Sequence, residues 1–182
     1  MLRMILRRRA FQTPVGRMLA LASDDALVAL EFVKEDRRHR LDARLARWLP
    51  PHRIEDGSAP VLDAAGRWLD AYFAGAAADS RALPLAMHGT GFERRVWERL
   101  LAIPAGHTRS YGDIASELGL RNGARAVGLA NGANPIAIVV PCHRVIGSNG
   151  TLTGYGGGLD RKQWLLDHER RWSANPGLAF ES

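Results

Sequence analysis

Ile136-Ala137-Ile138-Val139-Val140-Pro141-Cys142-His143-Arg144-Val145 is the stretch from which the rest of the chain can be read. Five consecutive apolar residues after Asn134-Pro135 predict a buried strand that delivers Pro141-Cys142-His143-Arg144. Cys142 is the only cysteine among 182 residues, so it has no intramolecular disulfide partner and belongs to no multi-cysteine metal site. A lone thiol beside a histidine is either an ordinary core cysteine or a nucleophile. A free thiol has a pKa of about 8.5, so it needs a base or a local positive field to attack anything at neutral pH. His143 is adjacent in sequence, but neighbouring residues of a strand face opposite ways. The motif alone leaves both readings open.

Working outward toward the carboxy terminus, Gly147-Ser148-Asn149-Gly150 is a tight-turn sequence. Thr153-Gly154-Tyr155-Gly156-Gly157-Gly158 then leads into a helix containing Lys162, Trp164, Leu165, Leu166, His168 and Glu169. This is neither the P-loop nor the dinucleotide fingerprint. The glycines instead allow backbone to approach a flat ligand and expose amide donors. Glu169 lies at helical spacing from Leu165 and Leu166. It is either a surface carboxylate or an inward one in need of a partner, for which His143 is a candidate.

Toward the amino terminus, Ser110 is placed to cap a helix through Tyr111, Ile114, Ala115 and Leu118, with Asp113 in its first turn and Gly119 as its stop. A second short helix, residues 124–130 ending near Gly132, comes after four residues. That spacing is helix-turn-helix. Ala124, Ala126, Gly128 and Ala130 keep the second helix slim while Arg125 projects a long cation. This suits either tight packing in a small domain or contact with a nucleic-acid groove. Before it, Phe92, Val96, Trp97, Leu100, Leu101 and Ile103 form the apolar face of another helix.

The first half reads as strand, turn, strand over residues 18–22 and 26–32. A helix ending at Pro50-Pro51 comes next, then a second from Pro60 to Gly75, with connecting segments at 76–80 and 88–91. Apolar content is 46% and charged content 24%, ordinary for a globular chain. No apolar run reaches membrane-spanning length. The first ten residues place arginines after the apolar residues, the reverse of a secretory leader. The single thiol favours a reducing, cytoplasmic setting. A net charge of +6 suits a polyanionic partner, and it suits solubility equally. Only Lys34 and Lys162 of the 25 basic residues are lysines.

Pro141-Cys142-His143-Arg144-Val145, then Tyr155-Gly156-Gly157-Gly158-Leu159 and Trp164-Leu165-Leu166-Asp167-His168-Glu169, resembles the O6-alkylguanine-DNA alkyltransferases. Ser110-Tyr111-Gly112, Ala124-Arg125-Ala126-Val127-Gly128 and Ala133-Asn134-Pro135 fit the same family in order and spacing. The match is dense over residues 91–170 and loose before that, through Thr13-Pro14-Val15-Gly16 and the hairpin after it. The resemblance implies an α+β chain. Residues 1–88 would be a small ribonuclease H-like β-sheet domain, and residues 89–182 a helical, winged helix-turn-helix-like DNA-binding and alkyl-acceptor domain.

It also implies stoichiometric repair of double-stranded DNA carrying O6-alkylguanine, with O4-alkylthymine as a second candidate substrate that the sequence leaves open, by a monomer that needs no cofactor or metal. Cys142 would take the alkyl group, with His143 as base through water, Glu169 orienting His143, and Asn134 bracing the turn. Tyr111 would crowd the neighbouring phosphate and protonate the departing guanine. Tyr155, Val145, Gly156 and Gly157 would hold the base, only the backbone of Gly156 being able to bind. Arg125 would fill the gap left by the extruded nucleotide, with Ala124, Ala126 and Gly128 against the DNA. The chain has no further cysteine, so a cysteine-based zinc site and a second acceptor thiol are excluded. Two rival readings are a non-catalytic sensor of alkylated DNA and a cysteine hydrolase. The second leaves the helix-turn-helix without a purpose.

Overall fold

The computed structural model describes residues 4–76 and 78–174. Residues 1–3, residue 77 of the expected connection and residues 175–182 of the expected second domain lie outside the described residues. Four strands form one sheet: β1 (Met4–Thr13), β2 (Gly16–Ala22), β3 (Leu27–Phe32) and β4 (His52–Asp56). Their order is β3-β2-β1-β4, antiparallel except for the parallel β1–β4 pair. The expected hairpin is β2–β3. β1 and β4 were not legible, because three consecutive arginines mask the period-2 pattern of β1. In register, Arg7 stands opposite Glu55 and Arg8 opposite Asp56, and each pair closes an ion pair, at 2.6 and 2.7 Å. Charge complementarity across the strands therefore does there what apolar alternation does elsewhere.

β3 is buried along its whole length, because both faces of the sheet are covered. Leu41, Leu45 and Leu49, in and just after α1 (Glu35–Trp48), pack on one side against Leu6, Leu21, Val28 and Ala29. On the other side α2 (Pro60–Phe73), with its proline at the favoured first position, joins a larger core shared with the second half of the chain.

That second half holds α3 (Gly91–Leu101), α4 (Tyr111–Glu117), α5 (Ala124–Gly132) and α6 (Leu159–Ala174), with a small parallel pair of β5 (Arg109–Ser110) and β6 (Val145–Ile146). Thr90 with Glu93, and Ser110 with Asp113, close complete capping boxes on α3 and α4. Gly119 ends α4 at φ +72°, a conformation that favours glycine. The architecture is thus two-domain α+β, a small sheet domain followed by a helical one. Among the described residues no helix is long and apolar enough to cross a membrane.

One expectation fails. Ile136–Val140 is not a strand. Ile136 makes a single bridge to Leu30 of β3, with the Leu30 amide donating to the Pro135 carbonyl at 2.9 Å and the Ala137 amide to the Leu30 carbonyl at 2.8 Å. The chain then curls into turns, with Ile138 at φ +69° and the Val140 amide donating to the Ile136 carbonyl at 3.0 Å. All five side chains are buried. When every side chain is inside, apolar pattern no longer distinguishes a strand from a buried turn.

Candidate active site

The buried turn aims Cys142, His143 and Arg144. Holding an isoleucine at positive φ costs roughly 1–3 kcal/mol, so the surroundings must enforce it. Asn134 supplies the enforcement. Its side-chain carbonyl accepts from the Ile136 amide at 2.9 Å and its amide donates to the Val140 carbonyl at 2.8 Å. Asn131, on α5, donates to the Cys142 carbonyl at 3.2 Å. Pro141 then leads into a single 3-10 turn, Cys142–Arg144. At three residues per turn, its side chains point in three directions. Adjacency in sequence does not bring thiol and imidazole together; the turn distributes them.

Cys142 borders a small cavity with Phe32, Arg37, Tyr155, Gly156 and Gly157. Burial pushes its thiol up, opposed by the Asn134 side chain and the positive charges of Arg37 and Lys162. His143 and Arg144 point instead toward α6. His143 Nε2 lies 2.7 Å from Glu169 Oε1 with both side chains fully buried, while His143 Nδ1 has no hydrogen-bond partner among the described residues. Arg144 donates both Nε and Nη2 to the Glu169 carboxylate, at 2.9 Å each, and Nη1 to the Ile103 carbonyl. Tyr72 of α2 donates to Oε1 at 2.8 Å and the Gly106 amide to Oε2 at 3.2 Å.

Burial alone would raise the Glu169 carboxyl. His143 and then Arg144 outweigh it and hold the group well below the usual carboxylate range. Burial lowers His143, against the opposing pull of Glu169, so the resting imidazole is neutral. With Nε2 donating to an ionised Glu169, the bare Nδ1 is the ring's acceptor. Chemically this is a buried thiol on the same turn as an uncharged imidazole that Glu169 holds in one orientation.

Lys162 is the second of the two lysines, and the structure shows why its position matters. It is fully buried in α6, and its ammonium donates to the carbonyls of Val145 and Thr153, stapling the glycine loop to the cysteine turn. Burial lowers it to about 8. Tyr111, half-buried at the start of α4, donates to the Thr153 carbonyl at 3.0 Å, and burial raises its phenol. The Tyr155 ring meets Phe32 edge-on at 6.1 Å, and its buried hydroxyl has no partner among the described residues. The Cys142 carbonyl accepts from both the Asn131 side chain and the Val145 amide, which uses both of its lone pairs, and the Val145 carbonyl accepts from Lys162.

Gly156 has a reason the sequence does not reveal. A Cβ there would fall 1.4 Å from Arg37 Nη1. Arg37, on α1, is forked onto the buried Glu31 at 2.5 and 2.9 Å, and it lies across the glycine loop. The cavity beside Cys142 accordingly measures only about 10 Å³, room for about one water. On α5, Arg125, Ala124 and Ala126 are exposed, and Gly128 faces Tyr111, whose ring atoms would lie 3.8 Å from a Cβ. Cys142, Tyr155, Gly156 and Gly157 thus border one cavity, and Asn134 braces the turn that carries Cys142. Val145 is tied through its carbonyl to Lys162, His143 is paired with Glu169, and Arg125 is exposed on α5. Sequence reading missed Arg144, Tyr72, Lys162, Arg37 and Glu31. A lysine surviving in an arginine-rich chain was the one available signal.

The chain matches two family models in succession. Residues 6–87 match the 6-O-methylguanine DNA methyltransferase ribonuclease-like domain, and residues 91–171 match the DNA-binding domain of the same name. It is 46% identical over 169 residues to a methylated-DNA–protein-cysteine methyltransferase of Mycolicibacterium paratuberculosis, covering 93% of this chain and 95% of that one. It is 46% identical over 170 residues to one of Salmonella typhimurium, covering 93% and 97%. Its fold superposes on the crystal structure of Mycobacterium tuberculosis OGT in complex with DNA, with a TM-score of 0.76 and 42% identity over 91% of this chain and 94% of that one. The chain belongs to the 6-O-methylguanine DNA methyltransferase family.

Proposed function

We propose that this protein reverses DNA alkylation directly, transferring the alkyl group of O6-alkylguanine in double-stranded DNA to Cys142. The arrangement that carries this reading is the Cys142 turn, backed by the neutral His143 held on Glu169 and fronted by a cavity of stacking and backbone groups. A thiolate suits displacement at a soft sp³ carbon. The Cys142 proton passes through a bridging water to His143 Nδ1, and the imidazolium so formed is stabilised by Glu169. Sulfur then attacks the alkyl carbon, the S–C bond forms as the C–O6 bond breaks, and guanine departs as its anion. Tyr111 protonates the departing ring. The thioether has no leaving group that water displaces readily, so one thiol gives one turnover.

Reaching the carbon requires extrusion of the base. Arg125, with Ala124, Ala126 and Gly128 around it, faces the duplex and fills the vacated position. The closed cavity must open, and Arg37 with the loop at Gly156 is the part that has to move. Tyr155 then packs on the base while the backbone of Val145, Gly156 and Gly157 meets its edge. Asn134 keeps the turn in place. Residues 89–182 carry this chemistry, and residues 1–88 form the domain that supports it. The protein acts as a monomer in this reading, and a free thiol suits the reducing cytoplasm.

The test is mass spectrometry. Incubation with a duplex containing O6-methylguanine should add one methyl mass to the peptide bearing Cys142, in stoichiometric amount. Unmodified Cys142 in folded, reduced protein would overturn the reading. Repeated turnover of an ester would point to a hydrolase, and undiminished biological activity of Cys142→Ala to a sensor.

A further inference from the structure

A cleft of about 530 Å³ separates α1 from α5. Four arginines of α1 line it, Arg37, Arg40, Arg44 and Arg47, at spacings that bring them to one helix face. Two are committed: Arg37 to Glu31, and Arg44 to Glu93 at 3.2 Å. Arg40 and Arg47 are exposed and, among the described residues, have no carboxylate partner, although Arg47 lies 5.0 Å from the centre of the Trp48 ring. Two uncompensated guanidiniums on one wall are a reason to ask what the cleft holds.

The opposite wall answers in part. Leu129 lines the cleft and is 72% exposed, a conspicuous position for a large apolar side chain. It stands one helical turn beyond Arg125, so the two share the outer side of α5. An apolar residue on a groove-facing helix can pack on sugars and base edges, whereas guanidinium forks match phosphate. We infer that duplex DNA seated on α5 continues into this cleft, with its backbone phosphates on Arg40 and Arg47 of α1 and a sugar against Leu129. This rests on the reading that the outer face of α5 binds DNA. It makes the amino-terminal sheet domain part of the DNA interface.

The experiment is the salt dependence of binding to an unmodified duplex oligonucleotide, measured by fluorescence anisotropy. Protein concentrations are set by titrating the acceptor thiol with a free O6-alkylguanine base, so that misfolded molecules do not count. Losing two phosphate contacts should flatten the slope of log K against log salt by about 2 in the double variant Arg40→Gln/Arg47→Gln, about 1 per residue. Arg40→Lys/Arg47→Lys should retain the slope, and Leu129→Ala should weaken binding without changing it. An unchanged slope in the double glutamine variant would overturn the inference while leaving the α5 reading intact. Wild-type duplex affinity in Arg125→Ala would instead remove the α5 reading itself.

Discussion

Two buried carboxylates flank the cysteine turn, and their surroundings displace their pKa values in opposite directions. Glu169 is fully buried and accepts from His143, both arms of Arg144, Tyr72 and a backbone amide. Glu31 is nearly as buried and, among the described residues, accepts from Arg37 alone. Burial is the first cause acting on both. At Glu169 the donors overwhelm it, and the carboxyl is held low; at Glu31 burial prevails over Arg37, and the carboxyl is pushed up. Burial does not by itself set a carboxylate's state; the number and charge of its donors do. Glu169 is built to stay ionised beside His143. Glu31 holds the guanidinium that lies across the glycine loop beside the Cys142 cavity.

The largest way to break this contrast is Glu169→Ala. It would leave Arg144 buried without its carboxylate, a loss on the order of 3–5 kcal/mol, read as a lower urea midpoint at unchanged slope. Glu169→Gln keeps the shape and removes the charge. If the carboxylate stabilises imidazolium, methyl transfer should slow by roughly 100-fold, within the range for general-base assistance, while duplex affinity stays within a factor of about 3. Equal transfer rates would reduce Glu169 to a structural role.

Gly156→Ala tests the other carboxylate's partner. The new methyl group must displace Arg37, so transfer from a free base and from duplex should both change, with a thermal midpoint lower by a few degrees, about 1 kcal/mol in a chain of this size. An unchanged protein would mean that Arg37 moves freely.

Acid titration sharpens the comparison by its sign. The depressed Glu169 contributes stability that is present above about pH 4.5, its ordinary value, and is lost as pH falls toward its lower folded value. The raised Glu31 acts oppositely: its ionised form weakens the fold at neutral pH, and the penalty is relieved as pH falls through its folded value toward 4.5. Urea unfolding between about pH 6 and 3 should therefore show a flatter acid loss in Glu169→Gln and a steeper one in Glu31→Gln. The smallest effect is expected at Ser110→Ala, which removes one cap from α4 and costs about 1 kcal/mol. Local hydrogen exchange at residues 111–114 would detect it.

Much of the helical half was legible because its signals are local. Ser110 and Asp113 announce a capped helix, Gly119 announces its end, and α5 begins at the expected spacing. The β2–β3 hairpin was legible for the same reason. β1 and β4 were not, because their pairing rests on acids and arginines about fifty residues apart. Ile136–Val140 misled because a wholly buried segment carries no periodicity, and its bridge to Leu30 and its brace by Asn134 are long-range or turn-specific facts. Of the site, the sequence marked Cys142, His143 and Glu169 as chemically able. It could not mark Tyr72, which arrives from α2 of the other domain.

The sequence by itself determined which residues could react: one thiol, its neighbouring imidazole, and a glutamate at inward-leaning helical spacing. It determined too that a slim helix would present Arg125 outward. Tertiary structure alone decided that Cys142 opens a 3-10 turn and not a strand end, so thiol and imidazole point to different neighbours. It decided that Glu169 collects donors from α2, the Gly106 turn and the cysteine turn together. The physical reason is range. Side-chain chemistry and local capping are written within a few residues, whereas the charge state of a buried group depends on every dipole and ion the fold brings within a few ångströms.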